Sequence, residues 1–145
     1  MSAAMVKVLT SELSGKALDW VVTMIELTRK IAAGEHVKPW VADAIRSGEQ
    51  ADPYSSDPLW GSEIVEREGI ATRRHRNGTW YAIAQRDLGD GQHANWAEFT
   101  WRDAPGPGNR RQRFTGSTHL TAAMRCHAAT QLGAVVEVPT QLMKS

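Results

Sequence analysis

The residues best suited to binding chemistry precede the last long helical segment of this 145-residue chain. They are three loop arginines, Arg110, Arg111 and Arg113, followed by Gly116, Ser117 and Thr118. A helix N-terminus offers unpaired N–H groups to anions, and guanidinium forks match phosphate or carboxylate geometry. The arrangement predicts a site for an anionic, nucleotide-like molecule. The structural alternative is that Thr118 caps the helix, Gly116 turns the chain and the arginines keep the loop hydrated.

Two aromatic residues, Tyr54 and Trp60, stand in a segment rich in Pro, Ser and Asp. Pro53 and Pro58 disfavour regular structure there, so the segment is predicted to be a loop. Aromatic side chains on a loop suit either a protein-binding surface or stacking against a ligand ring. The alternative is that Trp60 tucks under the loop as a satellite of the core.

Signatures of established enzyme chemistry are missing from the sequence. It contains no HExxH, GxSxG, Walker loop or cysteine pair, and no spacing selects two carboxylates as acid and base. His119 and His127 share a helical segment but stand eight residues apart, too far for one metal on one turn. Cys126, the only cysteine, is predicted to be a small buried hydrophobic residue. We therefore predict no metal and no cofactor, and an enzyme with an unrecognised site is the remaining catalytic alternative.

A cluster of basic residues falls on the first strand of a predicted hairpin. Arg73, Arg74 and Arg76 precede Asn77-Gly78, which is typical of a type I′ turn. A solvated or guarded strand edge is the simpler interpretation. Nucleic-acid binding would require stacking aromatics on the same face, and Trp80 and Trp96 are the candidates.

Composition and periodicity predict one α+β domain over residues 1–145. Charged residues make up 23% and the formal net charge is +1, so no global field favours nucleic acid or membranes. Ser14 and Gly34 bound one long helical pattern, and Thr118 and Gly133 bound the second, which we take as the central packing helix. A short helix is predicted to begin at Pro39.

The strand signals predict an antiparallel meander of three or four strands packed against the two longer helices. The hairpin strands fall within 64–84 and a third strand within 95–101. Two further apolar runs, Met5–Leu9 and Val135–Val138, are edge candidates that could pair between chains, so a homo-oligomer stays open.

Three stretches resemble the NinX-like family of small phage and prophage proteins. They are SELSGKALDWVV, YSSDPLWGSEIVEREGI and GSTHLTAAMRCHAATQLGAVVEVP. The resemblance implies a shared scaffold and a phage origin. It implies no catalysed reaction, because the family's function is unknown.

These observations favour a non-enzymatic phage accessory protein that binds a host or phage component. The first hypothesis is a protein-binding or regulatory module, and the second is a binder that sequesters an anionic, nucleotide-like molecule in counter-defence. With neither a leader nor a membrane span in the sequence, we expect it in the host cytoplasm.

Overall fold

The computed structural model describes residues 4–84 and 114–143. Its helices are α1 (Gly15–Ala32), α2 (Pro39–Arg46), α3 (Pro58–Glu68) and α4 (His119–Leu132). Its strands are β1 (Met5–Leu9), β2 (Ile70–Arg74), β3 (Trp80–Ala84), β4 (Phe114–Gly116) and β5 (Val135–Pro139). Short 3-10 turns follow β1 and β5. None of the helices in this described part is both long and apolar enough to cross a membrane.

The strands form two antiparallel sheets, which confirms the predicted α+β class. One sheet has the order β2-β3-β4, and the other is a ribbon of β1 and β5. The two apolar runs that were edge candidates for pairing between chains thus pair with each other, with Lys7 opposite Glu137. The strand predicted within 95–101 lies outside the described residues.

The core lies between α1, α4 and the inner face of the three-stranded sheet. Ala122, Ala123 and Met124 of α4 are buried together with Leu18 and Val22 of α1. Small side chains on α4 allow this close packing, because they keep the distance between neighbouring elements short. The prediction that α4 is the central packing helix agrees with this burial.

Helix α3 lies where the sequence predicted a loop around Trp60 and a strand entered from Ile64, so both predictions were wrong. Pro58 occupies the first helical turn, where a missing N–H costs nothing. The Asp57 carboxylate accepts a hydrogen bond from the Leu59 N–H at 3.0 Å, and Gly69 ends the helix with φ 65°. The proline that suggested a loop therefore begins a helix.

The predicted hairpin is present, but its turn differs from type I′. The Gly78 N–H bonds to the His75 carbonyl and the His75 N–H bonds to the Thr79 carbonyl. The loop is thus three residues long, with Gly78 at φ 87° in the bulge position that follows a type I turn. The Asn77 side chain accepts from the Thr79 N–H at 2.9 Å, which favours this turn.

Candidate functional site

A cleft of about 390 Å³ opens between α1, α2 and the segment that leads into α3. Its lining residues include Glu26 and Lys30 of α1, His36 and Lys38 before α2, and Asp52, Tyr54 and Trp60. Aliphatic side chains of α1 and α2 complete the wall. This volume and mixed lining are typical of a site for a ligand or for an anchoring side chain of a partner.

Two residues predicted from the sequence to bind a ligand, Tyr54 and Trp60, both line this cleft. Their rings meet edge to face with centroids 5.5 Å apart. Tyr54 is buried, whereas Trp60 is 39% exposed, so Trp60 is not simply a residue tucked into the core. Burial is the main cause that raises the pKa of the Tyr54 hydroxyl above its ordinary value, and nearby carboxylates raise it further. The phenol therefore stays neutral and can donate a hydrogen bond.

The segment that carries Tyr54 is held on α1 by two side chains of that helix. The Asp52 N–H donates to Thr23 Oγ1 at 2.9 Å, and the Ser55 N–H donates to Asp19 Oδ1 at 2.8 Å. These bonds give partners to backbone N–H groups that would otherwise have none, and they fix the wall of the cleft.

Gly61 lets α3 approach α4 closely behind this wall. A Cβ at Gly61 would lie 2.7 Å from Leu120 Cδ2 and would also collide with the Tyr54 carbonyl oxygen. A residue with a side chain would push α3 away and move Trp60, so the absence of a side chain at this position shapes the cleft.

Large apolar side chains are exposed at the first turns of α2 and α3, each next in sequence to a residue that lines the cleft, Val41 or Trp60. Trp40 is 66% exposed and Leu59 is 87% exposed, and each follows a proline that begins its helix. The Lys38 ammonium lies 5.9 Å from the centre of the Trp40 ring. We call Trp40, Leu59 and Trp60 the exposed apolar rim.

A network of buried charges lies behind the cleft. Arg67 binds Glu26 through both terminal nitrogens, at 2.7 and 2.9 Å, and donates from Nε to Glu68 at 2.8 Å. Arg29 lies 3.7 Å from Glu68, and His127 Nε2 lies 3.5 Å from the Glu26 carboxylate. Glu26, Glu68 and His127 are buried, so ion pairs join α1 and α3 inside the protein and the His127 imidazole of α4 lies beside them.

The network controls the charge state of Glu26, which is also one of the residues that line the cleft. Burial alone would raise the pKa of Glu26, but His127 and Arg67 outweigh it and lower that pKa to about 2. Glu26 is therefore ionised at neutral pH and is a weak proton acceptor.

No pattern in the sequence indicates this network. Glu26 and Arg67 are 41 residues apart, and no local spacing joins them. One signal was available: Glu26 follows Val22 by four residues and so belongs to a buried stripe of α1. A carboxylate at a core position requires a partner.

The predicted anion site at the start of α4 is only partly described. Thr118 is the N-cap, and its hydroxyl accepts from the Thr121 N–H at 3.1 Å. Ser117 and Thr118 are exposed, and Gly116 is buried. The arginines of the loop, Arg110, Arg111 and Arg113, lie outside the described residues.

The start of α4 lies beside the sheet, where the Trp80 and His119 rings are 5.5 Å apart, while Tyr54 and Trp60 line the cleft. That these two places act as one ligand site stays a prediction. Among residues 4–84 and 114–143, no three His, Cys, Asp or Glu side chains are grouped to hold a metal ion.

The fold and the cleft define a small α+β protein with tryptophan and leucine side chains exposed around a partly charged pocket. The chain belongs to the bacteriophage P22 NinX family, whose model matches residues 9–131. The match confirms the resemblance and spans the cleft, the exposed apolar rim and the buried charge network. A search of curated proteins found no match.

Proposed function

We propose that this phage protein works as a binding module, in which the exposed apolar rim binds a protein of the host or of the phage. The observation that carries the proposal is the 66% exposure of Trp40 and the 87% exposure of Leu59, which adjoin in sequence the cleft-lining residues Val41 and Trp60. Tryptophan is enriched among residues that dominate binding energy at interfaces, and contiguous exposed apolar surface marks interaction sites. Host cytoplasm is the proposed place of action.

The cleft supports a mode of binding in which a partner side chain enters it. The wall formed by the 52–55 segment is fixed by hydrogen bonds to α1, so little ordering of the cleft is needed on binding. Lys30 and Lys38 flank the cleft and can pair with acidic groups at the rim of a partner.

The test compares tagged variants as bait in a lysate of phage-infected host cells, followed by affinity measurement with the purified partner. Trp40→Ala and Leu59→Ala should each weaken binding by tenfold or more, as for interface anchors. Both side chains are exposed, so the free energy of unfolding should change by no more than about 0.5 kcal/mol.

Leu132→Ala is the matched control, because Leu132 is 50% exposed at the end of α4 and lines a separate apolar groove. It should bind like the wild type. Equal loss of binding in all three variants, or retention in all three, would contradict the role of the rim.

A small anionic ligand in the same cleft is a second candidate function, favoured by one observation. Lys30, His36 and Lys38 line the cleft together with the half-exposed Trp60 ring, a combination that suits a phosphate and a stacked base. This is the form of the nucleotide-sequestering hypothesis that the described residues support.

A thermal-shift panel of nucleotides and cyclic nucleotides tests this second candidate, because a ligand that binds only the folded state raises the melting temperature. Lys30→Ala and Lys38→Ala should remove the shift, and Lys16→Ala, on the first turn of α1, should keep it. If a nucleotide is present at about a thousand times the dissociation constant expected of a functional ligand and the melting temperature does not change, that nucleotide is excluded as the ligand.

A further inference from the structure

The turn end of the β2–β3 hairpin is strongly basic. Arg73, Arg74 and Arg76 are exposed, and His75 stands between them. From Gly69 to Ala84 the sequence contains no Asp or Glu, and residues 114–119, which include β4, contain none either. The positive charge of this region therefore contrasts with the near-neutral whole chain.

Each of two arginines stands directly opposite an aromatic residue. The register places Arg73 opposite Tyr81 and Arg74 opposite Trp80. Directly opposed residues of an antiparallel pair share a face of the sheet, with their Cβ atoms about 5 Å apart. The His75 ring also meets Tyr81, with centroids 5.7 Å apart. Arg73 and Tyr81 thus share one face of the hairpin, and Arg74 and Trp80 share the other.

The face of the hairpin that carries Arg73 and Tyr81 points away from the main core. Tyr81 is half-buried and pairs on its other side with the exposed Thr115, whereas their neighbours Ala82 and Phe114 belong to the core cluster. Ile83, further along the same outer face, is buried, which confines the accessible surface to the turn end.

We propose that this turn end, with Arg73, Arg74, Arg76 and Tyr81, binds single-stranded nucleic acid. The arginines would hold successive phosphates, and the Tyr81 ring would stack on an unpaired base. A duplex offers phosphates but no free base face, so it should bind more weakly. This surface is separate from the cleft, and the proposal does not depend on the proposed function.

Fluorescence anisotropy with labelled oligo-dT and oligo-U of about 20 nucleotides, and with a duplex of equal length, tests the proposal from about 50 to 200 mM salt. The wild type should bind at least one single strand more tightly than the duplex, and the two strands distinguish DNA from RNA. In the Arg73→Ala, Arg74→Ala double variant, the slope of log affinity against log salt should fall by about 1.4, the value for two lost phosphate contacts on a single strand.

Tyr81→Leu keeps the charge but removes the ring, and it should weaken single-strand binding about tenfold without changing duplex binding. Tyr81→Phe keeps the ring and should bind like the wild type, which separates stacking from a folding defect. The charge-matched control is the Lys16→Ala, Arg46→Ala double variant, which removes exposed cations from α1 and α2 and should leave affinity within about twofold.

The proposal is overturned if no strand binds at the lowest salt, or if duplex and single strand bind equally. It is also overturned if the hairpin arginine variant behaves like the control variant. Equal competition by inorganic polyphosphate, which has charge but no bases, would likewise exclude the stacking that distinguishes this site.

Discussion

Removing the charge of Glu26 should flatten the dependence of stability on pH. The pKa of Glu26 falls from 4.5 to about 2 in the folded protein. Between these values the unfolded chain binds more protons than the folded protein, so stability rises with pH across this window. Each pKa unit corresponds to about 1.4 kcal/mol, so the ionised carboxylate contributes about 3 kcal/mol above pH 5. That contribution is lost as the pH falls toward about 2.

The variant Glu26→Gln keeps the shape of the side chain and cannot ionise. Urea unfolding at intervals from about pH 6 to pH 3 should show the wild type losing about 2 kcal/mol more than the variant, which is the part of the linkage that falls in this range. Glu66→Gln is the matched control, because Glu66 is exposed on α3 beside Arg67. Its curve should run parallel to that of the wild type.

The reasoning is refuted if the Glu26→Gln curve also runs parallel to the wild-type curve. That result would mean that the Glu26 carboxylate has the same pKa in the folded and unfolded chain, and hence that Arg67 and His127 do not favour its ionised form.

Three further substitutions test how the cleft and its supports are held. Gly61→Ala should destabilise the protein by about 1–3 kcal/mol and quench or shift the tryptophan fluorescence, because its methyl group collides with Leu120. Thr118→Ala should cost about 1 kcal/mol in thermal unfolding through loss of the N-cap bond of α4. Trp20→Phe should cost about 1–3 kcal/mol in urea unfolding, because it removes the buried indole N–H that donates to the Ile45 carbonyl at 2.5 Å and leaves a cavity where the larger ring packed.

Patterns contained in one stretch of chain were predictable from the sequence. Ser14 and Thr118 stand at the N-caps of α1 and α4, as predicted, and the Thr118 side chain makes the capping hydrogen bond whereas that of Ser14 does not. The hairpin followed from alternation and the Asn77-Gly78 pair, although the loop is one residue longer than a type I′ turn. Gly133 ends α4, as predicted, at φ 90° and ψ −168°, a positive φ that favours glycine.

Features that depend on partners distant in sequence were not predictable. Helix α3 is the exception, a local pattern that was missed: Pro58 is compatible with both a loop and the first turn of a helix, and the adjacent Asp57 cap distinguishes them. Tyr54 and Trp60 were predicted to bind a ligand, but the cleft they line also depends on Glu26 and Lys30, which come from another helix. Periodicity indicates which face of a helix is buried, and it does not indicate which helix will meet that face.

The central claim is that the exposed apolar rim contacts a protein partner, and site-specific photocrosslinking in infected cells tests it most directly. A photoreactive phenylalanine analogue at position 59 should give a discrete protein adduct, because Leu59 is 87% exposed and adjoins in sequence the cleft-lining Trp60. The same analogue at position 132 should not give this adduct. An adduct of the same mass from both positions, or none from position 59, would contradict the claim.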